Sequence, residues 1–72
     1  MTLTPKMLDV VAVLNDVPGE KLMRGQVGTV VEEFGGDVLE VEFSDNEGRT
    51  YATASLPADQ LLVLHHEAVA AA

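Results

Sequence analysis

The chain has 72 residues, no cysteine and a formal net charge of −8 at pH 7. This length allows one domain with a single small core, and the lack of cysteine excludes a disulfide framework and a thiolate zinc site. No apolar run approaches the ~20 residues of a membrane helix, and residues 7–14 lack the features of a signal peptide. We therefore expect a cytoplasmic protein.

The acidic charge is concentrated in the later part of the chain. Residues 1–24 contain equal numbers of acidic and basic residues, whereas residues 25–72 contain nine acidic residues against Arg49 alone. This distribution disfavours binding along a phosphate backbone, because such affinity comes largely from Lys and Arg. It favours solubility, and it attracts a more basic partner protein. A solvated acidic surface without a partner is the simpler interpretation.

The first predicted elements are a lead-in, a short strand and a long connection. Residues 1–8 form the lead-in, and the β-branched run at residues 9–14 predicts the first strand because it is too short for a stable helix. Residues 15–24 contain two turn signals, Asn-Asp and Pro-Gly, and predict an irregular connection. Leu22 and Met23 are predicted to pack into the core beneath this connection, and a soft interaction surface is the alternative for Met23.

Residues 25–43 predict a β-hairpin whose turn is formed by Gly35 and Gly36. A two-residue turn suits this pair because both central positions of a type I′ turn need positive φ. A three-residue turn would set Glu32 directly against Glu40, a like-charge pair that destabilises a sheet. The predicted cross-strand pairs are Phe34 with Asp37, Glu32 with Leu39, Val31 with Glu40, Val30 with Val41, and Gly28 with Phe43.

This register also predicts which side chains face the core. The inward residues are Val30, Leu39, Val41 and Phe43, and the outward residues are Glu33, Glu40 and Glu42. At the start of the hairpin, Gly25 is predicted to form a turn and Gly28 to allow a close approach between strands. A phosphate-binding loop is not predicted here, because neither a Lys-Ser/Thr pair nor a helix start follows the glycines.

The remaining elements are a turn, a strand, a helical turn and a last strand. Residues 44–48 predict a turn through their Asp, Asn and Gly, without the spacing of a twelve-residue calcium loop. Residues 49–54 predict the fourth strand, residues 56–60 a short helical turn, and residues 60–64 the fifth strand. Residues 65–72 predict a flexible C-terminal tail.

Together these elements predict an all-β fold, a small five-stranded SH3-like barrel with one short 3-10 turn before the last strand. The barrel occupies residues 9–64, between the lead-in at residues 1–8 and the tail at residues 65–72. The chain is too short for helices to cover a sheet, and closure into a barrel leaves no exposed strand edges.

Residues 9–64 also resemble a family of small, uncharacterised bacterial proteins, a domain of unknown function. The shared motifs are an opening Asp-Val-Val-Ala, a central Gly-x-x-Gly-Thr-Val-Val, a Val-Glu-Phe strand, a Gly-Arg-Thr turn and a closing Leu-Pro-x-x-x-Leu. The strand at residues 25–31 is similar to the glycine-centred strand of KOW-type domains and of the SH3-like barrel in the nitrile hydratase β subunit. The resemblance implies the fold. Since some small acidic bacterial proteins of this kind are encoded beside toxins, it also implies an antitoxin or immunity role.

The sequence offers little support for catalysis or for a metal site. Nucleophilic catalysis needs a held base and an orienting acid beside the nucleophile, and nothing places these beside Ser44 or Ser55. His65 and His66 are adjacent, rather than at the i, i+4 spacing of a helical metal site. We therefore predict no enzyme activity, no catalytic residue, no metal and no cofactor.

The leading hypothesis is a non-catalytic protein-interaction module that binds a more basic partner protein through an acidic sheet face. The predicted partner-binding residues are Glu33, Glu40 and Glu42 on the face and Glu32, Asp37, Asp45 and Glu47 at its rim. A second hypothesis is an accessory domain that stabilises a larger enzyme complex through apolar contacts such as Val31 and Val38, or through an unpaired sheet edge. Nucleic-acid or ribosome binding, as in KOW-type domains, is disfavoured by the charge.

Overall fold

The computed structural model describes residues 4–65 and Ala68. Five antiparallel strands form one sheet, and their bounds are β1 Val10–Val13, β2 Val27–Phe34, β3 Val38–Ser44, β4 Thr50–Pro57 and β5 Leu61–Val63. Short 3-10 turns at Pro18–Glu20 and Ala58–Gln60 precede β2 and β5. In these ranges no helix has the length and apolar character needed to cross a membrane.

The strands lie in the order β4-β3-β2-β1-β5. The predicted all-β class, the five strands and the 3-10 turn before the last strand are confirmed. β4 extends beyond its predicted end because Ser55 and Leu56 continue the pairing with β3. The sheet is open, since within residues 4–65 no pairing joins β4 to β5. The predicted tail at residues 65–72 lies outside the described residues, apart from His65 and Ala68.

Buried apolar side chains form one core on the inner face of the sheet. They come from all five strands and from the connection between β1 and β2: Val11, Val13, Leu22, Val30, Leu39, Val41, Phe43, Ala54, Leu56 and Leu61. The four hairpin side chains predicted to point inward are all among them. Because β4 and β5 contribute to the same core, the sheet curves until its two end strands cover one apolar cluster.

The connection before β2 places one of its two predicted core residues inside. Leu22 is 2% exposed, and its backbone pairs with Val17 in an isolated bridge. The prediction for Met23 is wrong, since its side chain is 68% exposed. Consecutive residues in an extended segment point to opposite sides, so the bridge that turns Leu22 inward directs Met23 to solvent.

The hairpin between β2 and β3 has a three-residue turn, residues 35–37, where the sequence predicts two. A bulge at Val31 compensates for the extra residue, so Val30 pairs with Val41 as predicted. Between the bulge and the turn the predicted register is wrong. The observed pairs there are Glu32 with Glu40, Glu33 with Leu39, and Phe34 with Val38.

A tertiary contact explains the longer turn. Gly36 and Asp37 both have positive φ, +75° and +62°, and the Asp37 carbonyl accepts a hydrogen bond of 2.8 Å from the Ala58 amide. This bond joins the hairpin to the 3-10 turn before β5. It contributes about 1 kcal/mol net, at least as much as a like-charge cross-strand pair costs. A contribution of this size is enough to offset the repulsion between Glu32 and Glu40.

Gly28 allows a close approach of β2 to β3, as predicted. A Cβ atom added there would lie 2.6 Å from Val41 Cγ1, 2.9 Å from the Glu42 carbonyl oxygen and 2.9 Å from Phe43 Cδ2. Atoms of β3 therefore already fill the space beside this glycine. The predicted turn at Gly25 is also confirmed, and its φ of +93° requires the freedom of glycine.

Replacing Gly28 with Ala should destabilise the fold by about 1–3 kcal/mol, the usual cost of overpacking a core. The added methyl group would have to displace both the β3 backbone and two buried side chains. Urea unfolding followed by circular dichroism measures the change. Gly19→Ala is the matched control, because no atom lies within 4 Å of its added Cβ. Equal destabilisation of the two variants would contradict the close approach.

Candidate functional site: the outer face of the sheet

The outer face of the sheet, opposite the core, carries three glutamates on the neighbouring strands β2 and β3. Residues paired across antiparallel strands lie on the same face, and Glu32 pairs directly with Glu40. Glu42 lies two residues beyond Glu40 on β3, so its side chain points to the same side. We call Glu32, Glu40 and Glu42 the acidic tract.

No cation neutralises the acidic tract within the part of the chain that the structure describes. The ion pair found there joins Arg49 to Glu47, in the turn before β4. Like charges directly opposite each other destabilise a sheet. The repulsion between Glu32 and Glu40 is therefore uncompensated.

Hydroxyl side chains of β4 flank the acidic tract. Glu40 pairs with Ser55, and Glu42 pairs with Thr53. Thr50 Oγ1 also donates a hydrogen bond of 2.9 Å to Glu42 Oε1. Ser and Thr hydroxyls donate hydrogen bonds but carry no charge, so the tract keeps its negative potential.

The other predicted partner-binding residues do not join this tract. Glu33 lies opposite Leu39, on the side of the sheet that carries the core. Its predicted place on the outer face is therefore wrong, and Glu32 takes that place because of the bulge and the three-residue turn. Asp37 lies in the exposed hairpin turn.

Asp45 and Glu47 shape the turn between β3 and β4. Asp45 Oδ1 accepts hydrogen bonds of 2.8 Å from the Glu47 amide and 2.9 Å from the Arg49 amide. The Glu47 carboxylate forms the ion pair with Arg49. Both acidic side chains are thus engaged within the turn that the sequence predicts at residues 44–48.

An apolar row lies on the outer face beside the acidic tract. Ala12 of β1 pairs with Val27 of β2 and with Leu62 of β5. Val27 is 45% exposed and Leu62 is 51% exposed. We call Ala12, Val27 and Leu62 the apolar row. The sequence shows only local strand patterns at these positions, because the row depends on pairing between segments far apart in the chain.

No group of three or more His, Cys, Asp or Glu side chains within residues 4–65 is arranged to hold a metal ion. The three carboxylates of the acidic tract are spread over a surface and do not converge on one point. Of the two histidines, His65 is exposed, and His66 lies outside the described residues.

Replacing Glu32 with Lys should stabilise the fold by about 0.2–1 kcal/mol, because an opposite-charge pair with Glu40 replaces a like-charge pair. The gain should shrink as salt rises. Urea unfolding at low and high salt measures both effects. Glu33→Lys is the matched control, since Glu33 lies opposite Leu39 rather than opposite a carboxylate. An equal gain in the control would contradict the observed register.

Comparison with known proteins adds a family to this description. No curated protein and no solved structure matches the chain. The model of the family described as "Domain of unknown function (DUF4926)" matches residues 7–63. The matched residues include all five strands, the acidic tract and the apolar row. The chain therefore belongs to the DUF4926 family.

Proposed function

We propose that this protein is a non-catalytic interaction module that docks a more basic partner protein onto the acidic tract. The like-charge pair of Glu32 and Glu40 carries this proposal, because no Lys or Arg among the described residues forms an ion pair with either carboxylate. A pair of this kind lowers stability, and local conflicts of this sort are expected at functional sites. Lys or Arg side chains of a partner would supply the missing positive charges.

The remaining acidic residues add to the attraction at longer range. Glu33, Asp37 and Asp45 have exposed side chains, and the chain carries a net charge of −8. Glu47 is also exposed, but Arg49 partly neutralises it. The negative electrostatic potential around the protein speeds association with a basic protein. It also makes the association rate sensitive to salt.

We also propose that the curved sheet is an SH3-like barrel. The strand order, the single core shared by β4 and β5, and the 3-10 turn between those strands support this architecture. The similarity of residues 25–31 to KOW-type domains and to the nitrile hydratase β subunit supports it further. Fold analogy of this kind bears on architecture and not on activity.

An antitoxin or immunity role is the most specific form of this proposal. Its support is the resemblance to small acidic bacterial proteins encoded beside toxins. In this form the partner is a toxin, and the acidic tract covers its basic active cleft in the cytoplasm. The product of the adjacent gene is therefore the first partner to test.

The test reverses the charge of the acidic tract. The variant Glu40→Lys with Glu42→Lys should slow association with the adjacent gene's product by about tenfold or more at low salt, because electrostatic steering is lost. The wild-type rate should fall as salt rises, and the variant's rate should fall much less, because only the acidic residues outside the tract still attract the partner. Stopped-flow mixing at two salt concentrations measures both rates.

A control variant distinguishes the effect of losing the acidic tract from the effect of changing the net charge. Glu20→Lys with Asp59→Lys changes the net charge by the same amount, but these residues lie in the two 3-10 turns. This variant should slow association much less. Equal rates for both variants and the wild type, or wild-type rates that ignore salt, would refute docking on the acidic tract.

A second candidate function is an accessory domain in a larger enzyme complex. The apolar row favours it, because Val27 and Leu62 leave about half of their surface in water and burying apolar area stabilises a complex by roughly 25 cal/mol per Å². Nucleic-acid or ribosome binding is less favoured, since the acidic outer face repels phosphate.

Leu62→Ser distinguishes the accessory role from acidic docking. If the apolar row forms the interface, this change should weaken the complex at low and at high salt alike, because apolar burial is not screened. Size-exclusion chromatography at two salt concentrations measures the effect, as the fraction of the protein that co-elutes with the enzyme complex. Thr29→Ser is a matched control on the same face of the sheet. Undiminished binding by the Leu62 variant would reject an accessory role that uses the apolar row.

A further inference from the structure

The outer edge of β4 has no strand beside it in the described structure. β4 pairs with β3 on one side only. No backbone hydrogen bond outside that ladder involves residues 52–56 within the described ranges. An edge of this kind presents N–H and C=O groups that are ready to pair with another strand.

This edge lacks the charged residues that usually prevent strand pairing. Thr50–Pro57 contains no charged side chain, in a chain with twelve acidic residues. Proteins commonly place charges, bulges or proline on an edge strand to keep other chains away. Here a bulge interrupts the strand at Tyr51 and Pro57 ends it. The regular part between them, residues 52–56, has the length of a typical strand.

We propose that a second copy of this chain pairs with residues 52–56 along this edge, antiparallel and centred on Ala54. A two-fold dimer requires a surface that complements itself, and antiparallel pairing of one segment with itself meets that requirement. The pairs across the interface are Ala52 with Leu56 of the partner subunit, Thr53 with Ser55 of the partner subunit, and Ala54 with Ala54 of the partner subunit.

In this register, apolar residues pair with apolar residues on the inner face of the joined sheet, and hydroxyl residues pair with hydroxyl residues on its outer face. Ala54 and Leu56 are buried on the core side, and Ala52 pairs with the core residue Phe43. Apolar residues thus meet apolar residues on the inner face. Thr53 and Ser55 are exposed on the outer face, where pairs of hydroxyl side chains are favourable across strands. A register centred on Thr53 would set Tyr51, at the bulge, against Ser55.

Physiological salt largely screens the repulsion between the two acidic tracts in this dimer. Across the dimer the strands would lie in the order β3-β4-β4-β3, with one β4 from each subunit. The two β3 strands, which carry the nearest glutamates of the two acidic tracts, would then be three strand spacings apart, or about 14 Å. That separation exceeds the Debye length of about 8 Å at physiological ionic strength. Since the outer faces continue into each other, the dimer presents both acidic tracts on one side.

Sedimentation velocity of the full chain from micromolar to millimolar concentration tests the dimer. The wild type should shift from monomer to dimer as concentration rises. Hydrogen exchange followed by NMR should show that the amides in residues 52–56 that point away from β3 become protected over the same range. A wild type that stays monomeric at millimolar concentration overturns the proposal.

Two charge variants test the register. Thr53→Glu with Ser55→Glu sets two like-charge pairs across the interface and should weaken the dimer about tenfold. Thr53→Lys with Ser55→Glu sets two opposite-charge pairs at the same positions and should bind at least as tightly as the wild type. Asn15→Asp with Asn46→Asp adds the same negative charge in exposed loops and should change the dimer by less than about threefold.

Circular dichroism shows whether each variant folds. If Thr53→Glu with Ser55→Glu fails to fold, Thr53→Lys with Ser55→Glu still tests the register. Weakening by both β4 variants, or by neither, overturns the register. The proposal does not depend on docking to the acidic tract, because its tests add no partner protein and leave Glu32, Glu40 and Glu42 in place. A monomeric protein that still binds a basic partner would refute the dimer alone.

Discussion

The close approach of β2 to β3 at Gly28 is the constraint on which this small sheet depends. Val41, Phe43 and the Glu42 backbone occupy the space that a side chain would need. Phe43 is the largest of the fully buried side chains, so the missing Cβ decides whether it fits. A domain of this size buries only about 60–65% of its unfolded surface, and it has few other large side chains to replace that contribution.

The outer face follows from the same pairing. Once the inner face of the hairpin is filled by the core, the alternate residues of β2 and β3 must face water, and three of them are the glutamates of the acidic tract. The bulge at Val31 replaces Glu33 by Glu32 on that face without changing its acidic character. The apolar row arises separately, where β1 pairs with both β2 and β5.

The open edge of β4 gives this acidic face a second property. The hydrogen-bonding groups of that edge lie beside the acidic tract, since Thr53 and Ser55 pair with Glu42 and Glu40. Electrostatic docking and strand pairing would therefore act at neighbouring places on one molecule. The first is sensitive to salt and the second depends mainly on backbone hydrogen bonds, so the two contributions are physically separable.

The sequence by itself determined the all-β class, the five strands, the inward residues of the hairpin, the close approach at Gly28 and the turn at residues 44–48. These depend on local periodicity, turn chemistry and the small size of glycine. It also predicted an acidic sheet face, because the glutamates alternate with buried residues along β3. Only the tertiary structure decided the three-residue hairpin turn, the exposure of Met23 and the apolar row. Each of these depends on a partner distant in the chain: Ala58 for the hairpin turn, the bridge between Val17 and Leu22 for Met23, and the pairing of β1 with β5 for the row.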